Sequence, residues 1–198
     1  MSNLRTKKIT TLGMLSALAF LSVFLIRIPL IPAVPFLKYE PKDVIVLMAG
    51  FIFGPLSAIM VSVVVSLVEL VTISSTGIIG FVMNILSTVT FVVPAAYLYK
   101  RKRTFKHASI GMLIGAVATT VTMLLWNYLL TPIYMNVPLE KVIPLLTSAI
   151  LPFNLIKSAL NSILALLLYK PLVNALRKAN LIEREVSVSN KTVTQKIG

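Results

Sequence analysis

Residues 44–71 read VIVLMAGFIFGPLSAIMVSVVVSLVELV, with one charge, Glu69, and one interruption, Gly54-Pro55. Proline cannot continue a helix from the residue before it, and Gly-Pro marks a turn. The stretch therefore predicts two apolar helices, 44–53 and 56–73, joined by a tight turn. About 20 apolar residues cross a bilayer core of roughly 30 Å. The second helix is long enough to do so. The first is short, because ten to thirteen residues rise only about 15–20 Å. Its far end stops below the membrane surface, and the polar loop before it, FLKYEPKD at 36–43, dips inward. Irregular polar backbone at that depth is tolerated only where it lines a protein-walled or watery cavity. This loop is the first sign of a binding site.

Working outward, four more segments read as spans: 9–28, 80–99, 109–130 and 145–169. Over the 198 residues, 57% are apolar and only 13% charged, with a mean hydropathy of +0.92. Ordinary globular domains run at roughly 45–50% and 25%, so a soluble globule is excluded. The expectation is an all-α membrane protein of six helices. It forms one domain, 1–176, followed by a polar cytoplasmic tail, 177–198. The net charge of +13 is not a nucleic-acid footprint. Fourteen of the nineteen Lys and Arg fall at the N-terminus, between the fourth and fifth segments, or after the sixth. Basic residues mark the cytoplasmic side, so both termini are expected inside, in a cell membrane. Lys38, Lys42 and Lys141 are left to the outer loops. Ala17-Leu18-Ala19 resembles a signal-peptide cleavage site, but the apolar run continues through Ile26, which suits an uncut anchor.

No cysteine is present and the single histidine, His107, sits among Lys and Arg. Thiol chemistry is excluded and a zinc site lacks ligands. No phosphate-binding loop occurs. No catalytic residue, metal or cofactor is indicated.

Several polar groups lie where lipid is expected. Asn154, Lys157, Ser158 and Asn161 share one face of the sixth segment by helical spacing. An intramembrane lysine is a functional candidate by default; otherwise it snorkels outward or pairs with Glu69 or Asp43. Pro152 shortens the helix above it, which makes snorkelling feasible. Asn84 and Asn127 are further carboxamides, either helix–helix glue or ligand contacts. Trp126, Tyr128 and Tyr134 form an interfacial belt or an aromatic wall. Glu40, Pro41 and Asp43 either cap the second helix or, with Tyr39, approach a ligand. Glu69 is a lysine partner or a pocket residue. Gly77 and Gly80 bracket an outer turn that would admit close backbone approach. Gly13-x-x-x-Ala17 and Gly111-x-x-x-Gly115 offer small helix faces for internal packing or for docking to another membrane subunit.

The loop at 36–43, GFIFGP at 50–55, GFVMN at 80–84, Asn127-Tyr128 with TPIY at 131–134, and PFNLIK at 152–157 occur in an order and spacing that resemble one family. These are the substrate-binding S components of energy-coupling factor (ECF) vitamin transporters, with the riboflavin-binding ones nearest. The resemblance covers the chain to about residue 177. It implies a six-helix bundle that takes its vitamin from outside, beneath the loop joining the first two helices. It also implies a membrane coupling subunit and two cytoplasmic ATPase subunits as partners. By resemblance, Asn127, Asn154 and Lys157 would hydrogen-bond riboflavin, while Leu37 and Tyr39 would close over it. Gly13 and Ala17 match the small-residue contact motif of the first helix, with Gly replacing the first Ala. Riboflavin is neutral, flat and apolar in its ring, with a polyol and a uracil-like edge. A pocket richer in carboxamides than in unpaired charge suits it. Two alternatives stay open: an S component for another vitamin or flavin-like compound, and a small intramembrane enzyme. The enzyme would need a nucleophile with a base beside it, and no such pair is visible.

Overall fold

The computed structural model describes residues 2–31 and 34–179. Its architecture is helical throughout, with one small hairpin. Helix α1 (Ser2–Leu25) is followed by two short antiparallel strands, β1 (Ile28–Pro29) and β2 (Lys38–Tyr39), paired Ile28 to Tyr39 and Pro29 to Lys38. Then come α2 (Lys42–Phe53), α3 (Pro55–Thr72), α4 (Gly77–Arg101) and α5 (Phe105–Met135). The last membrane segment is α6 (Leu139–Leu145), a π-helical turn (Leu146–Ile150) and α7 (Leu151–Lys178), run end to end.

Five stretches are long and apolar enough to cross a bilayer: 4–25, α3, α4, α5 and 139–175. The sixth membrane segment, α2, has 12 residues and rises about 18 Å. It is the hub of the bundle. Val44, Val46, Leu47, Met48, Ala49 and Phe51 are all buried, and α2 packs on α1, α3, α4 and α7. A helix buried all round is apolar all round, which is why its sequence shows no polar stripe. The other helices turn large apolar side chains outward, among them Phe24, Leu56, Leu113, Val121 and Leu167. That is a surface built for lipid.

The Gly54-Pro55 turn forms as expected. Gly54 takes φ +94°, which strongly favours glycine, and Pro55 opens α3 at its first turn. The helices overrun their apolar segments, because basic residues at their ends reach the interface on long stems. Thus α1 begins seven residues early, taking in Arg5, Lys7 and Lys8, and α5 begins at Phe105, taking in Lys106; its other end reaches Met135 with no basic residue in the last turn. The expected shortening at Pro152 does not occur. The π turn just before it adds an extra residue to the coil, and the helix continues through the proline. Residue 177 is still helical, and the tail from residue 180 onward lies outside the described residues.

The two small-residue faces have different fates. A Cβ on Gly111 would sit 2.6 Å from Ala95 Cα, and one on Gly115 3.0 Å from the Phe91 carbonyl carbon. That face is consumed by packing of α5 on α4. Around Gly13 a Cβ would meet nothing within 4 Å, and Ala17 is exposed beside it.

Candidate functional site

A cavity of about 160 Å³ lies at the end of the bundle opposite the N-terminus. Its roof is the segment around β2, through Phe36, Leu37 and Glu40, with Arg27 from the end of α1. Ser66 and Glu69 of α3 face Asn127 and Thr131 of α5, and Gly80, Asn84 and Ser87 of α4 form a further wall. Asn154 and Lys157 enter from α7. The inward dip of the loop is realised: Tyr39, Glu40 and Lys42 are all buried, although α2 starts only at Lys42.

Beneath and beside the cavity is a cluster of three acids and three bases. Lys157 Nζ lies 2.9 Å from Asp43 Oδ2 and 3.4 Å from Ser87 Oγ. Asp43 Oδ1 accepts from Thr88 Oγ1 at 2.7 Å, and Oδ2 accepts from Asn161 Nδ2 at 3.2 Å. Lys42 Nζ donates to Glu69 Oε1 at 2.5 Å, and Asn84 Nδ2 donates to Glu69 Oε2 at 2.6 Å. Glu40 is shared between Arg27 Nε at 2.9 Å and Lys42 Nζ at 3.6 Å. Isolated charges at such depth would be prohibitive, and removing one partner of a buried pair costs about 3–5 kcal/mol. Each acid here faces a base, so the cluster is formally neutral.

This arrangement corrects several expectations. Pro41 stands at the N-cap of α2 and Asp43 in its first turn, but no side chain hydrogen-bonds that end; the Asp43 carboxylate is taken by Lys157, Thr88 and Asn161 instead. Lys157 does not snorkel but pairs with Asp43, one of the two partners anticipated for it. Lys42, assigned to an outer loop, is 1% exposed, because Glu69 and Glu40 draw it inward. Arg27, expected at the end of the first segment, lies just past α1. It bridges the loop and α3, donating also to the Ile73 carbonyl at 3.0 Å, where the end of α3 leaves an orphan acceptor.

Of the carboxamides, Asn127 donates to the Met123 carbonyl at 2.8 Å and accepts from Thr131 at 2.9 Å. Asn154 donates to the Ile150 carbonyl at 2.8 Å. Each bond holds the amide against its own helix, and both residues line the cavity. Ser66 also lines it, and its buried hydroxyl has no partner among the described residues. Ser66 is one of three buried serines on α3, with Ser57 and Ser62, and nothing in the sequence separates it from the other two. The apolar lining comes from Phe36, packed edge-on against Tyr134 at 5.7 Å between ring centres, and from Leu70, Met123 and Phe153.

Three residues singled out from the sequence stand apart from the lining. Tyr128 is exposed on the surface of α5, as an interfacial residue is. Gly77, at φ +58°, starts α4; Gly80 lines the cavity, tight against the Thr76 side chain. Tyr39 turns away from the cavity and donates its hydroxyl to Asn161 Oδ1 at 3.1 Å. Burial, together with the neighbouring Asp43 charge, pushes the Tyr39 phenol up to about 12. It therefore stays protonated, and a donor, across the physiological range.

Comparison with known proteins places this architecture. Residues 7–169 match the family profile "ECF transporter, substrate-specific component". The riboflavin transporter RibU of Staphylococcus aureus (strain TCH60) is 34% identical over 181 residues, spanning 88% of this chain and 94% of that one. The riboflavin transporter FmnP of Bacillus subtilis (strain 168) is 30% identical over 191 residues, spanning 90% of this chain and all of its own. Among solved structures, the S component of a bacterial ECF transporter superposes with a TM-score of 0.74 at 34% identity, covering 87% of this chain and 99% of the other. These are transport proteins, and an enzymatic reading finds no support among them. With a matching profile across most of its length, two relatives of nearly equal span and a shared fold, the chain belongs to the family of substrate-specific components of ECF transporters.

Proposed function

We propose that this protein is the riboflavin-capturing subunit of an ECF importer. One observation carries the reading. Six of the ionic groups at the cavity satisfy one another, so the groups left to meet a ligand are amides, hydroxyls, apolar walls, the Lys157 ammonium shared with Asp43, and Lys38 in the roof. That set matches a neutral flat ring with a uracil-like edge and a polyol. Small-molecule pockets generally combine apolar walls with a few placed polar groups. The names of the two relatives, both riboflavin transporters of almost the same span, support the same ligand.

In this reading Asn127, Asn154 and Lys157 hydrogen-bond the flavin, Asn84 and Glu40 with Gly80 border it, and Leu37 closes over it. The strongly basic end of the bundle, Arg5, Lys7 and Lys8 with 100–106, lies in the cytoplasm by the positive-inside rule. Both termini are then inside and the cavity opens outward. The unoccupied face at Gly13 and Ala17 accepts the membrane coupling subunit, which two cytoplasmic ATPases drive.

The test is a riboflavin titration of the purified protein in mild detergent, followed by flavin fluorescence. Saturable quenching is expected. Lys157→Ala and Asn127→Ala should each weaken binding by about 1–3 kcal/mol, the loss of a buried hydrogen bond. Fluorescence untouched by the parent protein would reject the ligand, and parental affinity in both variants would reject the pocket.

A further inference from the structure

Two features of the site do not belong to ligand contact as such. Asp43 is 1% exposed and does not line the cavity. Tyr39, in the loop over the cavity, points its hydroxyl away from it. The two are joined by an unbroken set of buried bonds: Tyr39 Oη to Asn161 Oδ1, 3.1 Å; Asn161 Nδ2 to Asp43 Oδ2, 3.2 Å; Asp43 Oδ2 to Lys157 Nζ, 2.9 Å. Thr88 fixes the other Asp43 oxygen. Through one carboxylate oxygen, β2 of the loop and the cavity-lining ammonium of α7 are held to the same point.

We infer that Asp43 is a positioning residue for the ligand site, holding Lys157 toward the cavity and, through Asn161, locking the 34–40 loop over it. Placement of the lysine and closure of the loop are then one event. The geometric reason is that Asn161 spans the two. Its carbonyl oxygen faces the tyrosine and its amide nitrogen faces the aspartate, so neither bond can form well while Asn161 is turned to solvent. Lys157 pulled toward a ligand stays tied to Asp43, and Asp43 to the loop. Such coupling works in both directions: a locked loop favours the ligand-ready lysine, and a ligand on the lysine favours the locked loop. The cavity, at about 160 Å³, is smaller than the roughly 300–1,000 Å³ usual for pockets of drug-sized ligands. A flavin therefore enters only if the roof moves, and the tie to Asp43 is what the roof must release and remake.

The inference takes its ligand from the flavin reading and its geometry from the fold, so the test has two arms. In the first, without ligand, hydrogen–deuterium exchange is followed at the backbone amides of the 34–40 loop. Tyr39→Phe should speed it. Lys157→Met, at a residue that itself makes no hydrogen bond to this loop, should speed it too, and so should the charge-neutral pair Asp43→Asn with Lys157→Met, which removes the risk of an unpaired buried acid. In the second arm, riboflavin release is timed by stopped-flow fluorescence. Tyr39→Phe should release about tenfold faster, as for one lost buried hydrogen bond, with association within about twofold of the parent. Asn161→Ala should do the same, and the two together should do no more than either alone. Parental loop exchange in the Asp43→Asn/Lys157→Met protein would overturn the inference, as would additive effects of the Tyr39 and Asn161 changes. If the parent leaves riboflavin unquenched, the flavin reading falls, while the exchange arm still decides the role of Asp43.

Discussion

Gly115→Ala adds a single methyl group where α5 crosses α4 most closely at a glycine among the described residues, and its effect can be worked out from the structure. The new Cβ would lie 3.0 Å from the Phe91 carbonyl carbon, 3.2 Å from Phe91 Cα, and closer still to the carbonyl oxygen. These are backbone atoms of α4, with no rotamer to escape into. Optimal carbon contacts lie at about 3.5–4.0 Å, so α4 and α5 must part by roughly 0.5–1 Å. A gap of that size forfeits a quarter to a half of each neighbouring contact, and overpacking of this kind typically costs about 1–3 kcal/mol. One turn further along α5, Thr119 Oγ1 bonds Thr90 Oγ1 at 3.0 Å and the Ser87 carbonyl at 3.3 Å. Ser87 in turn contacts Lys157. The strain thus reaches the cavity wall. Gly115→Ala should lower the thermal midpoint of the detergent-solubilised protein and weaken riboflavin binding by about five- to tenfold, within the same 1–3 kcal/mol. Thermal unfolding and fluorescence titration measure the two. Parental stability would show that the crossing is not as close as described, and lost stability with parental affinity would break the link from Ser87 to the site.

The first helix behaves oppositely. Gly13→Ala meets no atom within 4 Å and gains helix propensity of about 1 kcal/mol, so stability should hold or rise. Ala17→Leu should leave riboflavin binding intact and reduce co-purification with the coupling subunit; weakened ligand binding instead would argue against a docking face. For Tyr39, a phenol raised to about 12 in the fold against about 10 unfolded contributes stability that is complete below pH 10. That contribution is lost as pH rises from 10 to 12, where the unfolded chain sheds a proton the folded one retains. The stability difference between parent and Tyr39→Phe should be flat to pH 10 and shrink above it. A difference that grew above pH 10 would contradict the buried donor role.

Much of this could be read without coordinates, for physical reasons. The apolar runs and the Gly54-Pro55 break fix the helices, because each is a local property. The spacing of Asn154 and Lys157 put them on one face, and both line the cavity. What escaped the sequence is long-range pairing. Lys42 reads as a loop cation until Glu69, 27 residues on, is seen to neutralise it. Arg27 reads as a helix-end charge, yet it bonds the Ile73 carbonyl 46 residues away. Tyr39 reads as a ligand contact by the family resemblance; its partner, Asn161, is 122 residues distant. The π turn escaped too, since nothing in Leu146–Ile150 distinguishes five π residues from an ordinary turn, and Pro152 suggested a break instead.

The balanced charge cluster has a consequence for energetics in a living cell. Moving one elementary charge through the full membrane potential involves about 2.3 kcal/mol per 100 mV. Arg27, Lys42 and Lys157 against Glu40, Asp43 and Glu69 sum to zero, and riboflavin adds nothing to that sum. If the loaded site changes sides of the membrane, these six groups and their cargo do no net electrical work. The membrane potential would then act on the site only through Lys38, the lining cation that stands outside the balanced set.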